Sequence, residues 1–121
     1  MSANILLVDD SPTVRNILKI YLMNLKMGFL EAEDAARALQ LLRLVPVKLV
    51  IADINMPGMD GLRLLQKVKE QRADLAVIMV TAYGDDERRR KASEFGAAEF
   101  VTKPVDFDLL KHQLQQLRAT S

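Results

Sequence analysis

The sequence places five polar side chains directly after apolar runs, at the points where the strands of a sheet would end. They are Asp9, Asp10, Asp53, Thr81 and Lys103. Open α/β sheets collect ligands beyond the carboxyl ends of their strands, so we expect these side chains to meet at one edge. The predicted site therefore combines three carboxylates, one hydroxyl and one ammonium group.

This combination favours phosphoryl chemistry with a divalent metal. Clustered carboxylates repel one another, and a hard cation relieves the repulsion; Mg²⁺ with oxygen ligands is the natural candidate. A carboxylate beside Mg²⁺ and an ammonium group can attack a phosphoryl group and form an acyl phosphate. Lys103 would neutralise the phosphoryl oxygens, and Thr81 could donate a hydrogen bond to one of them.

Each of these residues also has a purely structural explanation. An Asp after a strand often caps the next helix, and Asp10 or Ser11 alone could do that here. As a set at the ends of four strands, the residues favour a functional site over coincidence.

Five short apolar runs alternate with five helical patterns. The predicted strands are Ile5–Val8, Gly28–Glu31, Val47–Ala52, Ala76–Val80 and Glu99–Thr102. The second and fifth are more mixed in composition, as edge strands are. The predicted helices begin at the Ser11–Pro12 start signal, at 34 with Asp34 as cap, and at 61, 86 and about 106. The alternation predicts an α/β sandwich with a parallel sheet.

The first helix is the clearest, because its apolar residues recur at helical spacing and form one stripe. Its members are Val14, Ile17, Leu18, Tyr21, Leu22 and Leu25.

Composition limits the other classes of function. The chain has 121 residues, which suits one domain, and we expect no output domain within it. A net charge of +1 gives no bulk attraction to nucleic acid or to an anionic membrane. The chain has no cysteine and no apolar segment of membrane-spanning length, which is compatible with a cytoplasmic location. The single histidine, His112, is not expected to bind a metal.

Four motifs resemble those of the receiver domain of two-component response regulators, and the resemblance covers essentially the whole chain. They are ILLVDDS at the start, VIADINMPGMDG at 50–61, VTA at 80–82 and VTKP at 101–104. Together, at these spacings, they are highly specific. The resemblance implies a doubly wound, flavodoxin-like fold: a five-stranded parallel sheet of order 2-1-3-4-5 with five helices.

The resemblance also implies a role for each site residue. Asp53 would accept a phosphoryl group from a histidine kinase or a histidine phosphotransfer protein. Thr81 and Lys103 would contact the phosphoryl oxygens. Phe100 would turn inward on activation and switch the surface of the fourth helix, fifth strand and fifth helix. That surface would then bind a downstream protein that the sequence does not identify, or a second copy of the chain.

A Mg²⁺ ion is implied beside the acceptor. Asp10 and Asp53 would bind it directly, Asp9 through water, and Asn55 through its backbone carbonyl. Asn55 and Tyr83 are expected to tune the lifetime of the phosphoryl group, Tyr83 by shielding it from water. An exposed loop aromatic without that role is an equal alternative for Tyr83.

The loop after Asp53 is expected to be stiffened by Pro57. Gly58 and Gly61 are expected to adopt backbone angles in this loop that other residues resist.

The basic run Arg88–Lys91 follows three acidic residues, which suits a solvated helix with acids at its N-terminus. The alternative is a face that docks an acidic partner or a second copy. Four cations without interleaved aromatic residues make a poor surface for nucleic acid.

Three other functions fit the sequence less well. A haloacid-dehalogenase-like phosphatase needs a second acid where this chain has Asn55, so we expect no enzyme activity beyond self-phosphorylation and autodephosphorylation. A flavin-binding module needs a hydroxyl- and glycine-rich loop where this chain has DDSPT. A receiver-like docking module that works without phosphorylation has no need of the complete acidic set.

Overall fold

The computed structural model describes residues 5–54, 61–81, 86–103 and 105–120, the last four by their backbone alone. The strands are β1 (Ile5–Val8), β2 (Phe29–Ala32), β3 (Leu49–Asp53), β4 (Ala76–Thr81) and β5 (Glu99–Thr102). The helices are α1 (Pro12–Asn24), α2 (Ala35–Leu44), α3 (Gly61–Gln71), α4 (Asp86–Glu94) and α5 (Phe107–Thr120).

All five strands are parallel and lie in the order β2-β1-β3-β4-β5, which confirms the predicted fold. The mixed runs β2 and β5 form the two edges, whereas β1 and β3 are buried throughout. The register pairs Val8 with Ala52, and Asp53 with Val80. The carboxyl ends of β1, β3 and β4 are therefore level, and the residues that follow these strands share one edge of the sheet.

Successive residues of a strand point to opposite faces of the sheet, and both faces carry apolar side chains. Helices therefore cover both faces. On one face Leu6, Val50 and Val77 pack with buried residues of α2, α3 and α4. On the other face Leu7 and Ile51 pack with buried residues of α1 and α5.

The two predicted helix caps are confirmed. The Ser11 hydroxyl accepts a hydrogen bond from the Val14 N–H at 3.3 Å, and an Asp34 carboxylate oxygen accepts one from the Arg37 N–H at 2.8 Å. Each cap satisfies an N–H that has no partner within its own helix.

One member of the predicted apolar stripe does not face the core. Leu18 and Leu22 are fully buried, but Ile17 is 48% exposed. Ile17 lies at one edge of the stripe, and the core contacts the opposite side of it, where the fully buried Leu18 and Leu22 lie.

The predicted ends of three strands were wrong by one or two residues. β4 ends at Thr81 rather than Val80. β2 begins at Phe29 rather than Gly28. β3 begins at Leu49 rather than Val47, and it includes Asp53. Val47 is fully buried, yet its carbonyl accepts from the Arg72 guanidinium rather than from a neighbouring strand. An apolar run can therefore extend beyond its strand when the loop before it also packs into the core.

None of the helices in the described part of the chain combines the length and apolar character that crossing a bilayer requires.

Candidate functional site

The three predicted carboxylates lie together at the carboxyl edge of the sheet. One oxygen each from Asp9, Asp10 and Asp53 lies within 4.8 Å of the others. Asp53 ends β3 and Asp9 follows β1, and both are buried, whereas Asp10 is exposed. The neighbouring strands β1 and β3 thus hold two carboxylates rigidly, and solvent reaches the cluster on the Asp10 side.

Lys103 provides the positive charge beside this cluster. Its Nζ lies 2.9 Å from Oδ2 of Asp53, and its backbone N–H donates to the Thr81 carbonyl at 2.8 Å. Burial lowers the pKa of Lys103, but the hydrogen bond to Asp53 and the charges of Asp53, Asp9 and Asp10 together outweigh it, so the pKa is raised. The ammonium form of Lys103 is therefore favoured at the acceptor carboxylate.

Asp9 has one carboxylate oxygen that is available to bind a metal. Its Oδ1 accepts from the Ser11 N–H at 2.8 Å, whereas its buried Oδ2 has no hydrogen-bond partner among the described residues. Burial raises the pKa of Asp9 most; the Ser11 hydrogen bond opposes this, and the charge of Asp53 adds to it. A buried, unpaired carboxylate oxygen beside two other carboxylates fits a hard cation such as Mg²⁺.

Thr81 and Phe100 lie on the neighbouring strands β4 and β5. Thr81 ends β4 and is buried, and it is paired with Thr102 of β5. Phe100 is half-buried on β5, and the guanidinium carbon of Arg89 lies 5.1 Å from the centre of its ring. This arrangement joins α4 to the residue expected to act as a switch.

Sequence reasoning missed Gln113, which fixes the backbone of Phe100 from the other side. Gln113 is 6% exposed on α5, and its Nε2 donates to the Phe100 carbonyl at 3.1 Å. Its Oε1 has no partner within the described ranges. The available signal was its position three residues after Leu110, on the buried side of the helix.

Arg15 of α1 was also missed. Its guanidinium donates to the Asp9 carbonyl and to Oε1 of Glu31 on β2, and Lys19 forms a second ion pair with Glu31 at 3.1 Å. This network anchors the backbone at Asp9 to α1 and to the edge strand.

Gly61 is required for a different reason from the one predicted. Its N–H donates to the Ile54 carbonyl at 2.8 Å, and a Cβ at Gly61 would overlap the backbone of Asp53 and Ile54. Within the described ranges, the only glycine with a positive φ is Gly96, at 98°. Close approach of two backbone segments, rather than an unusual backbone angle, therefore excludes a side chain at Gly61.

The prediction of a merely solvated basic run is wrong for Arg88. This side chain is half-buried and donates from Nη2 to the Ile54 carbonyl at 3.1 Å. Arg89 is exposed but stacks on Phe100, and Lys91 forms an exposed ion pair with Glu87.

Four residues of the predicted site and its loop lie outside the described residues. They are Asn55, Pro57, Gly58 and Tyr83. Their roles as metal ligand, loop residues and tuning residue stay predictions.

Comparison with known proteins agrees with this geometry. The family model of the response regulator receiver domain matches residues 5–115. The response regulator proteins PilR and FleR of Pseudomonas aeruginosa are 36% and 38% identical over 88% and 97% of this chain. The sensor histidine kinase RcsC of Salmonella typhimurium is 37% identical over 91% of the chain.

The chain spans about a quarter of the length of PilR and of FleR, and 12% of RcsC. Among solved structures, the receiver domain of NtrX from Brucella abortus is 33% identical, with a TM-score of 0.92. That match covers 97% of this chain and 99% of the NtrX chain. The chain therefore belongs to the response regulator receiver domain family.

Proposed function

We propose that this chain accepts a phosphoryl group on Asp53 in a two-component phosphorelay, with Mg²⁺ bound beside it. The observation that carries the proposal is the surroundings of Asp53: a buried carboxylate at the end of a central strand, with the Lys103 ammonium at 2.9 Å and two further carboxylates adjacent. The complete set favours this function over a docking module that works without phosphorylation.

The proposed donor is a phosphorylated histidine of a kinase or phosphotransfer protein, acting in the cytoplasm. An Asp53 oxygen attacks the phosphorus, an O–P bond forms, the N–P bond breaks, and the released imidazole takes up a proton. Hydrolysis later returns the carboxylate and releases inorganic phosphate. The presence of a sensor histidine kinase among the relatives supports a kinase-type partner.

Each residue of the site then has a defined task. Asp9, Asp10, Asp53 and the Asn55 carbonyl would hold Mg²⁺, which when bound offsets the charge of the phosphoryl oxygens. Lys103 would move its hydrogen bond from Asp53 to a phosphoryl oxygen.

Thr81 and Phe100 would carry the change to the surface. Thr81 would donate its hydroxyl to another phosphoryl oxygen and draw its loop with it. Phe100 would then turn inward, which shifts the surface formed by α4, β5 and α5 between two existing arrangements. A downstream protein or a second copy of the chain would bind that surface.

Intact-mass measurement after incubation with acetyl phosphate tests this function. We expect a gain of one phosphoryl group that requires Mg²⁺ and is absent in Asp53→Asn. Asp74→Asn is the matched control, because Asp74 is an exposed carboxylate remote from the cluster. If folded protein that binds Mg²⁺ gains no mass, the phosphorylation-independent docking module replaces this proposal.

A further inference from the structure

Helix α4 reaches the acceptor strand through Arg88, the third residue of the helix. Its Nη2 donates to the backbone carbonyl of Ile54 at 3.1 Å, and Ile54 directly follows Asp53. The Ile54 N–H in turn donates to the Val80 carbonyl of β4 at 3.0 Å. A half-buried guanidinium thus contacts the backbone where the chain leaves the acceptor.

The same carbonyl oxygen has a second donor. The Gly61 N–H, at the start of α3, donates to it at 2.8 Å. The chain that leaves Ile54 therefore returns to it at Gly61, and the missing Cβ of Gly61 makes this contact possible. One carbonyl oxygen joins β3, α3 and α4 at the position next to Asp53.

We propose that Arg88 is a positioning residue of the acceptor site: it holds the end of β3 and thereby fixes the Asp53 carboxylate relative to Asp9 and Asp10. A hydrogen bond from a charged donor is stronger than one between neutral groups. The peptide bond is planar, so fixing the Ile54 carbonyl also restricts the backbone on either side of it. The proposed use of this geometry in metal binding rests on the proposed function.

The contact has a second consequence, because Arg88 belongs to α4. A displacement of the chain beside Asp53 would reach α4 directly through the Ile54 carbonyl. This route differs from the proposed one through Thr81 and Phe100, in which the Phe100 ring contacts Arg89 of α4.

Amide hydrogen exchange in the metal-free protein tests the positioning role without any phosphoryl transfer. In Arg88→Gln we expect the Gly61 amide to exchange about tenfold faster, because the charged donor that holds its acceptor is gone. The Ala98 amide donates to the Val77 carbonyl at the other end of β4. Its exchange rate should not change, and this result would exclude global destabilisation as the cause.

Mg²⁺ affinity, measured by calorimetry, separates positioning from charge. Loss of a positive charge near the carboxylates would by itself tighten Mg²⁺ binding. Loss of positioning should instead weaken Mg²⁺ binding, by about tenfold for a residue that orients the metal ligands without binding the metal itself. Arg90→Gln removes the same charge from an exposed position of the same helix and is the matched control.

The inference is overturned if Arg88→Gln leaves the Gly61 exchange rate and the Mg²⁺ affinity as they are in Arg90→Gln. It is supported if the Gly61 amide exchanges faster and Mg²⁺ binds more weakly in Arg88→Gln alone. Because neither measurement involves phosphoryl transfer, the outcome is independent of whether acetyl phosphate modifies Asp53.

Discussion

Helices α1 and α4 lie on opposite faces of one sheet and are held there by different forces. α1 inserts Leu18 and Leu22, both fully buried, into the core. α4 buries only Ala92 in this way. Its other contacts include the Arg88 hydrogen bond to Ile54 and the stacking of Arg89 on Phe100.

The difference indicates which helix can move. Burial of a large apolar side chain contributes about 1.5–3 kcal/mol, and core packing allows few alternative positions. A hydrogen bond contributes about 1 kcal/mol net and can exchange with water. α1 is therefore a fixed part of the scaffold, whereas α4 is held by contacts that can be broken and remade. This contrast suits the proposed readout surface of α4, β5 and α5.

The largest effect is expected from the apolar anchor of α1. Leu22→Ala removes a fully buried side chain and should reduce the free energy of unfolding by about 2–5 kcal/mol, measured by urea denaturation. Ile20→Ala is the control, since Ile20 is 61% exposed and should change the free energy by less than about 0.5 kcal/mol. Equal losses in the two variants would show that α1 is not anchored by its buried face.

A smaller effect is expected where α1 meets α5. The Tyr21 hydroxyl donates to the Phe107 carbonyl at 2.6 Å, and the two rings lie 4.8 Å apart between centres. Tyr21→Phe keeps the ring contact and loses the hydrogen bond. The free energy of unfolding at neutral pH should fall by about 1 kcal/mol.

The pH dependence of the same variant has a definite sign. Burial first, and then the charge of Asp108, raises the pKa of Tyr21 above its usual 10.0. The folded protein thus holds this proton more tightly than the unfolded chain, so the contribution of Tyr21 is complete below pH 10 and declines as pH rises toward the folded pKa. Urea denaturation between pH 8 and 11 should show a steeper loss in wild type than in Tyr21→Phe. Parallel curves would contradict this assignment.

The smallest effect is expected at α4. A double-mutant cycle of Arg89→Gln and Phe100→Leu should give a coupling energy of about 0.5–1 kcal/mol, as for an exposed cation–π contact. The same cycle with Arg90→Gln should give no coupling. A coupling energy as large as the loss in Leu22→Ala would remove the proposed contrast between the two helices.

Local sequence patterns predict most of the fold. Apolar runs, the Ser11 and Asp34 caps and the strand–helix alternation act within a few residues, so they are readable without tertiary information. Ile17 shows the limit of such patterns. Periodicity defines the apolar side of a helix, but the rotation of the helix on the sheet decides which edge residue is exposed.

The site residues also divide into those that local sequence patterns predict and those that depend on tertiary contacts. Asp9, Asp53 and Lys103 were predictable because strand ends bring them together, and strand ends are marked in the sequence. Arg88 was not, because its acceptor lies 34 residues earlier and the contact depends on where α4 sits beside β3. Gln113, 13 residues after Phe100, depends in the same way on the placement of α5.

The ion pairs around Glu31 have a consequence for solubility. β2 is an edge strand of four residues, and an edge strand can add a strand of another chain and so begin aggregation. Glu31 lies within this strand, and its charge is balanced by Arg15 and Lys19 of α1. An incoming strand would have to pack against a carboxylate whose balancing cations are already held by this fold. The network that anchors Asp9 therefore also places charged side chains along this edge strand, and such charges disfavour the addition of another strand.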